Sequence, residues 1–137
     1  MAQQTLEQSI CEVSSDGTKH WYQNGQHHRI NGPALESPNG SKHWYQNGFR
    51  HRIDGPAIEC PNGSKFWYQN GNYHRIDGPA LEYSNGTKHW YQNGLCHRIN
   101  GPAVIYPNGE KRWYLHGKIV TQQDIMKQSS LILFFII

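Results

Sequence analysis

The sequence predicts an all-β repeat protein: an elongated, single-layer antiparallel meander of tandem 23-residue units, ending in a short C-terminal helix or tail. Three observations predict it. The five tryptophans, Trp21, Trp44, Trp67, Trp90 and Trp113, stand 23 residues apart without a slip. All fourteen glycines fall into three columns at that period, and all seven prolines into two. Asn-Gly dipeptides separate short alternating runs, the strongest short-range sign of a hairpin, because a type I′ turn needs positive φ at both central residues.

The period divides the chain into a polar N-terminal segment over residues 1–9, a repeat array over 10–120 with four full units and partial ends, and a C-terminal cap with an apolar tail over 121–137. One unit reads W-Y-Q-N-G-F-R-H-R-I-D-G-P-A-I-E-C-P-N-G-S-K-F from Trp44. It carries two strands. The longer runs through Lys42, His43, Trp44, Tyr45 and Gln46; the shorter lies near Ala57, Ile58 and Glu59. Asn47-Gly48 and Asn62-Gly63 are the hairpin sites, and Asp54-Gly55-Pro56 is a third break, where glycine permits a bend and proline cannot donate to a ladder.

A solenoid with one coil per unit would stack Arg29, Arg52, Arg75 and Arg98 at about the 4.8 Å strand spacing, with like charges opposed. A meander with two strands per unit doubles that spacing and uses the Asn-Gly turns as hairpins, so it is the favoured architecture. Strand alternation then puts the tryptophan column on one face and Tyr22, Tyr45, Tyr68, Tyr91 and Tyr114 on the other. The Leu35, Ile58, Leu81, Val104 column fills gaps between rings, and the Ala34, Ala57, Ala80, Ala103 column is small enough to lie beneath one. In the tail, Thr121 followed by Asp124 reads as a helix N-terminus. The apolar run Leu131 to Ile137 is far shorter than the roughly 20 residues that span a bilayer. It reads as a cap on the last strand edge or a partner contact, with contact at a membrane surface as the alternative.

At 36% hydrophobic residues the chain is polar for a globular protein, which a repeat array tolerates because each unit needs only its neighbours. The start is polar and lacks a signal-peptide pattern, so an intracellular, cytoplasmic protein is expected. Three cysteines in three different columns imply no disulfide framework. The Asn-Gly-Ser/Thr sites at Asn39, Asn62 and Asn85 match glycosylation acceptors but read as turns.

Nine histidines raise metal binding, yet column members lie about 10 Å apart in a meander and cannot share an ion, and no C-x-x-C or H-E-x-x-H occurs. No metal and no cofactor is expected. The His-Arg pair of each unit is read as bonding the turn and a carboxylate such as Glu36, Glu59 or Glu82. Catalysis is not expected, because an active site needs unlike residues to converge and here every reactive type recurs once per unit. Arginine and lysine columns among aromatics suggest single-stranded nucleic acid. A net charge of +3 and carboxylates at the same period argue against it. Two aromatic stripes exceed what one sheet buries, so a protein partner or self-association is expected. The contacting residues would be Trp21, Trp44, Trp67, Trp90 and Trp113 with Tyr45, Tyr68 and Tyr91, and Arg52 and Arg75 at the rim.

The phrase W-Y-x-N-G-x-x-H-x-x-[DN]-G-x-A, carried at period 23 over about residues 20–120, resembles the MORN repeat. The units replace the glycines after the histidine by His-Arg-Ile-Asp/Asn-Gly-Pro-Ala. In this they look like a MORN-like variant found in uncharacterised proteins of phages and large DNA viruses. The ending from Trp113 to Thr121 looks like the terminal unit of such proteins. The resemblance implies an elongated antiparallel sheet whose aromatic groove binds partner segments, with membrane association also proposed for the family. The function expected is a non-enzymatic interaction or assembly module, with a virion-type structural subunit or a weak single-strand nucleic-acid binder as alternatives.

Overall fold

A computed structural model describes residues 8–136, with side chains up to Leu131. The chain forms a long antiparallel meander. One twelve-stranded sheet runs the length of the array, and three two-stranded hairpins, Tyr45–Gln46 with Phe49–Arg50 and its two successors, lie beside it.

Two strands per unit build the main sheet, as in Lys42–His43 and Ile58–Glu59. The register alternates charge on one face: Lys42 lies opposite both Glu36 and Glu59, and Glu59 opposite Lys65. Opposed unlike charges stabilise an antiparallel pair, so the lysine column is tolerated because a glutamate column interleaves it. On the other face the same register lines up Leu35, His43, Ile58 and Phe66. Ala34, Ala57, Ala80 and Ala103 have no exposure, and Ile58, Leu81, Val104 and Tyr68 are buried beside them. The core is therefore a thin strip, with Ile58, Tyr68, Phe66 and Tyr73 in one of its clusters.

The longer strand is not continuous in the internal units. It stops at Trp44 and resumes as Tyr45–Gln46 in the side hairpin. Trp44 is where the backbone changes partners: its N–H donates to the Ala57 carbonyl at 2.8 Å and its carbonyl accepts from His51 N–H at 3.1 Å. Both backbone groups of Trp44 are paired, so the break costs little. In the end units the strand runs unbroken, as Lys19–Gln23 against Ile10–Val13 and as Lys111–Leu115 against Lys118–Val120.

The two Asn-Gly sites also differ. Asn47 and Gly48 have φ of 51° and 80°, the type I′ turn expected. At Asn62-Gly63 only the glycine has positive φ. Gly63 N–H donates to the Cys60 carbonyl at 3.0 Å and Cys60 N–H to the Ser64 carbonyl at 2.9 Å, giving a type I turn closed by a glycine bulge. Pro61 suits this form, since it lacks the N–H that a two-residue hairpin needs before its turn and its fixed φ fits the first corner of a type I turn. The same turn forms around Asn85-Gly86, where Ser84 takes the proline's place, so proline favours it without being required.

The tail forms helix α1, Gln122–Ile136. Thr121 and Asp124 cap it reciprocally: Asp124 N–H donates to Thr121 Oγ1 at 3.2 Å, and Asp124 Oδ2 accepts from Thr121 N–H at 2.9 Å. Ile125 is buried, and one turn further on Ser129 Oγ donates to the Ile99 carbonyl at 3.2 Å. The helix thus folds back on the loop of the last complete unit. The side chains of the apolar run beyond Leu131 lie outside the described residues. Among those described, no helix is long and apolar enough to cross a membrane.

Candidate interaction face

Each unit projects a loop, residues 51–57 in the second, from the tryptophan side of the sheet. Two devices hold it. The first is an arginine clamp. Arg29, Arg52, Arg75 and Arg98 place Cζ 4.0, 3.9, 3.9 and 4.0 Å from the ring centroids of Trp21, Trp44, Trp67 and Trp90. Nη1 of Arg52 also donates to the Pro56 carbonyl at 3.0 Å and to Glu59 at 3.1 Å, while Nε meets Asp54 at 3.1 Å. Asp54 is 86% exposed, so its pair contributes little, whereas the stacked, forked guanidinium closes the loop. The third glycine column follows from this clamp: a Cβ on Gly78 would lie 2.8 Å from Arg75 Cζ.

The second device joins consecutive units. Nδ1 of His28, His51, His74 and His97 accepts the backbone N–H of Asn47, Asn70, Asn93 and His116 at 3.0, 3.1, 3.0 and 3.0 Å. An amide N–H can only donate, so each Nδ1 is unprotonated and each ring is in the Nε2–H form when neutral. The His-Arg pair thus bonds a turn and a carboxylate, and the turn is that of the next unit.

With arginine and histidine committed to the loop base, isoleucine is left at its tip. Ile30, Ile53 and Ile76 are 67%, 80% and 80% exposed, while Ile99, beneath α1, is 43% exposed. Consecutive loops wall two successive open grooves. One, of about 650 Å³, lies between Ile30 and Ile53 with Trp44 and Gln46 along it. The next, of about 690 Å³, lies between Ile53 and Ile76 with Trp67 and Gln69. Of the residues expected at a contact surface, Trp44, Trp67, Arg52 and Arg75 line these grooves. Trp21 and Trp90 lie under their own arginines, and Trp113 is half-buried in a unit with Thr121 at the arginine position.

Tyr45, Tyr68 and Tyr91 belong to the opposite face. There the rings form a row with the residue that varies between units: His27 beside Tyr22 and Tyr45, Arg50 between Tyr45 and Tyr68, Tyr73 between Tyr68 and Tyr91. Tyr68 is buried, and burial followed by its contact with Tyr73 pushes its phenol pKa well up. This face is largely self-packed. Two of its histidines meet, His20 Nδ1 lying 3.0 Å from His27 Nε2, but among the described residues no three His, Cys, Asp or Glu converge as metal ligands.

The isoleucine column is the feature that sequence reasoning missed. Its signal was an aliphatic residue recurring inside an otherwise polar, turn-forming loop, where no core position is expected. No protein-family model matches the chain, and no curated protein matches it.

Proposed function

We propose that the chain is a non-enzymatic repeat scaffold that binds a protein segment along its loop face, in the manner its resemblance to MORN repeats suggests. The observation that carries this reading is the column Ile30, Ile53 and Ile76, held out by a clamp in every unit and flanking grooves with tryptophan along them. Exposed aliphatic side chains cost solvation when left in water, and a contiguous set of them marks an interaction surface. Trp44 and Trp67 supply ring area, Arg52 and Arg75 supply ribs that water does not easily displace, and Asp54 and Asp77 form a polar rim. The interleaved lysines and glutamates favour a protein partner over nucleic acid, which requires an uncompensated basic surface.

The test is affinity capture of the tagged full chain from its native cell beside Ile53→Asp/Ile76→Asp, with circular dichroism on both. Both isoleucines are exposed, so the variant keeps the fold. Loss of a stoichiometric protein from the variant alone supports the reading; an unchanged set of captured proteins, from a folded variant, refutes it.

A further inference from the structure

The chain holds ten Asn-Gly steps, and all ten asparagines are exposed. Such a step can react with itself, because glycine has no side chain to shield its nitrogen and leaves the backbone free to turn. Folding treats the ten unequally. In the inner hairpin turns the Gly48, Gly71 and Gly94 amides donate to the preceding unit's His27, Arg50 and Tyr73 carbonyls at 3.0, 2.9 and 3.0 Å. The asparagine amides of those turns are also bound, to His28, His51 and His74. In the bulged turns the Gly40, Gly63, Gly86 and Gly109 amides donate to the carbonyl three residues back at 2.9–3.0 Å. There the asparagine Oδ1 accepts the amide two residues on, at 2.9–3.0 Å. These seven steps are pinned by two bonds each.

Three steps differ. Asn24-Gly25 has no unit before it, so among the described residues no carbonyl receives the Gly25 amide, and a Cβ on Gly25 would meet nothing within 4 Å. The Gly32 and Gly101 amides, in the projecting loops, likewise have no acceptor among the described residues. Asn100 keeps one restraint, Arg98 Nε donating to its Oδ1 at 3.2 Å. Asn24 and Asn31 keep neither kind of bond.

We propose that Asn24 and Asn31 are sites of spontaneous deamidation in the folded protein, with Asn100 a slower third. The following glycine's nitrogen gives its proton to solvent base and attacks the asparagine Cγ. A C–N bond forms, the Cγ–Nδ2 bond breaks, and the amide nitrogen takes up a proton and leaves as ammonia. Water then opens the cyclic imide at either carbonyl, giving an aspartyl or an isoaspartyl residue. No oxidant or reductant is needed. Two units already show the aspartyl product's setting in the loop: Asp54 and Asp77 stand at the position of Asn31 and Asn100, and their Oδ1 atoms accept Arg52 and Arg75 Nε at 3.1 and 3.0 Å. Each event removes one unit from the net charge of +3, and at Asn31 and Asn100 it does so on the loop face.

The test is a time course of the full chain held at mildly alkaline pH, with peptide mapping by mass spectrometry at all ten sites. Each net hydrogen bond withdraws about fivefold from the population able to react, and two withdraw about thirtyfold. Asn24 and Asn31 are therefore expected to convert first, Asn100 about fivefold more slowly, and the seven pinned sites about thirtyfold more slowly. The same chain unfolded in urea should lose this order, all ten sites converting at similar rates. Equal rates in the folded protein, or a pinned site that converts before Asn24 and Asn31, overturns the proposal. So does an order that survives in urea, since neighbouring sequence and not the fold would then set it.

Discussion

The arginine clamp makes a prediction whose sign depends on background. In the third unit the Arg75 guanidinium lies 3.9 Å from the Trp67 ring centroid and donates to the Pro79 carbonyl at 3.1 Å, to Glu82 at 3.1 Å and to Asp77 at 3.0 Å. A partly desolvated cation–π contact contributes about 1–2 kcal/mol. A charge-assisted bond to a carbonyl adds about 1.5 kcal/mol. The carboxylate pairs are discounted, since Asp77 is 85% and Glu82 35% exposed. Arg75→Ala should therefore cost about 2–4 kcal/mol. Gly78→Ala tests the same contact from the other side. Gly78 lacks a positive φ, so alanine there is free of backbone strain and should by itself stabilise by about 0.4–1 kcal/mol through the unfolded chain. Its Cβ would lie 2.8 Å from Arg75 Cζ, so in the wild-type background it must displace the clamp and cost about 1–2 kcal/mol. With Arg75 already alanine there is nothing to displace, and the glycine substitution should turn neutral or stabilising. Urea unfolding of the four proteins, followed by tryptophan fluorescence, gives the cycle. Additive effects, with Gly78→Ala equally harmful in both backgrounds, would refute the clamp.

Three further outcomes follow from groups placed above. Burial first, with neighbouring charges in support at all but His89, holds His27, His43, His89 and His97 below the usual histidine range. The folded chain then binds fewer protons than the unfolded chain below about pH 6.5. Stability should be complete above that pH and decline as pH falls toward the lower folded values, read as a drop in the urea midpoint; a midpoint that rises on acidification contradicts this. Asn70 has a φ of 50°, so Asn70→Ala should cost about 1–2 kcal/mol while Asn70→Gly costs far less, and equal losses would show that the turn can relax. Cys11 is exposed, whereas burial pushes the Cys96 thiol up to about 11, so a thiol reagent at mildly alkaline pH should label Cys11 first and Cys96 only on unfolding. Equal labelling rates in the native protein would place Cys96 outside the core.

The meander was legible because each of its causes is local. Asn47-Gly48 encodes its turn in two adjacent residues, Thr121 and Asp124 encode the helix start within one turn, and the tryptophan spacing sets the unit. What escaped depends on partners distant in sequence. The break at Trp44 arises because Ala57 and His51 bond opposite sides of one residue. The bond from Asn70 N–H to His51 Nδ1 spans 19 residues, and no pattern within a unit announces it. The turn at Asn62 could have been read correctly, since Pro61 precedes it and already excludes the tighter form. The aromatic columns drew notice at the interaction face because rings are conspicuous. The guanidinium that lies over Trp44, and so leaves Ile53 as the exposed apolar group, appears only once Arg52 is seen to fold back over that ring.

The histidine link has a consequence for how such a chain can change over generations. Donor and acceptor sit in fixed places in adjoining units, so the joint between any two units is the same joint. Excising residues 44–66 would bring Trp67 directly after His43, and His28 would then receive the Asn70 amide in place of that of Asn47. Each unit spans two strands, so one such event would shorten the molecule by about 9–10 Å and remove one groove while keeping the histidine link. Reach and valence therefore lie within range of unequal recombination between near-identical stretches of coding sequence, with no need for new interfaces to evolve.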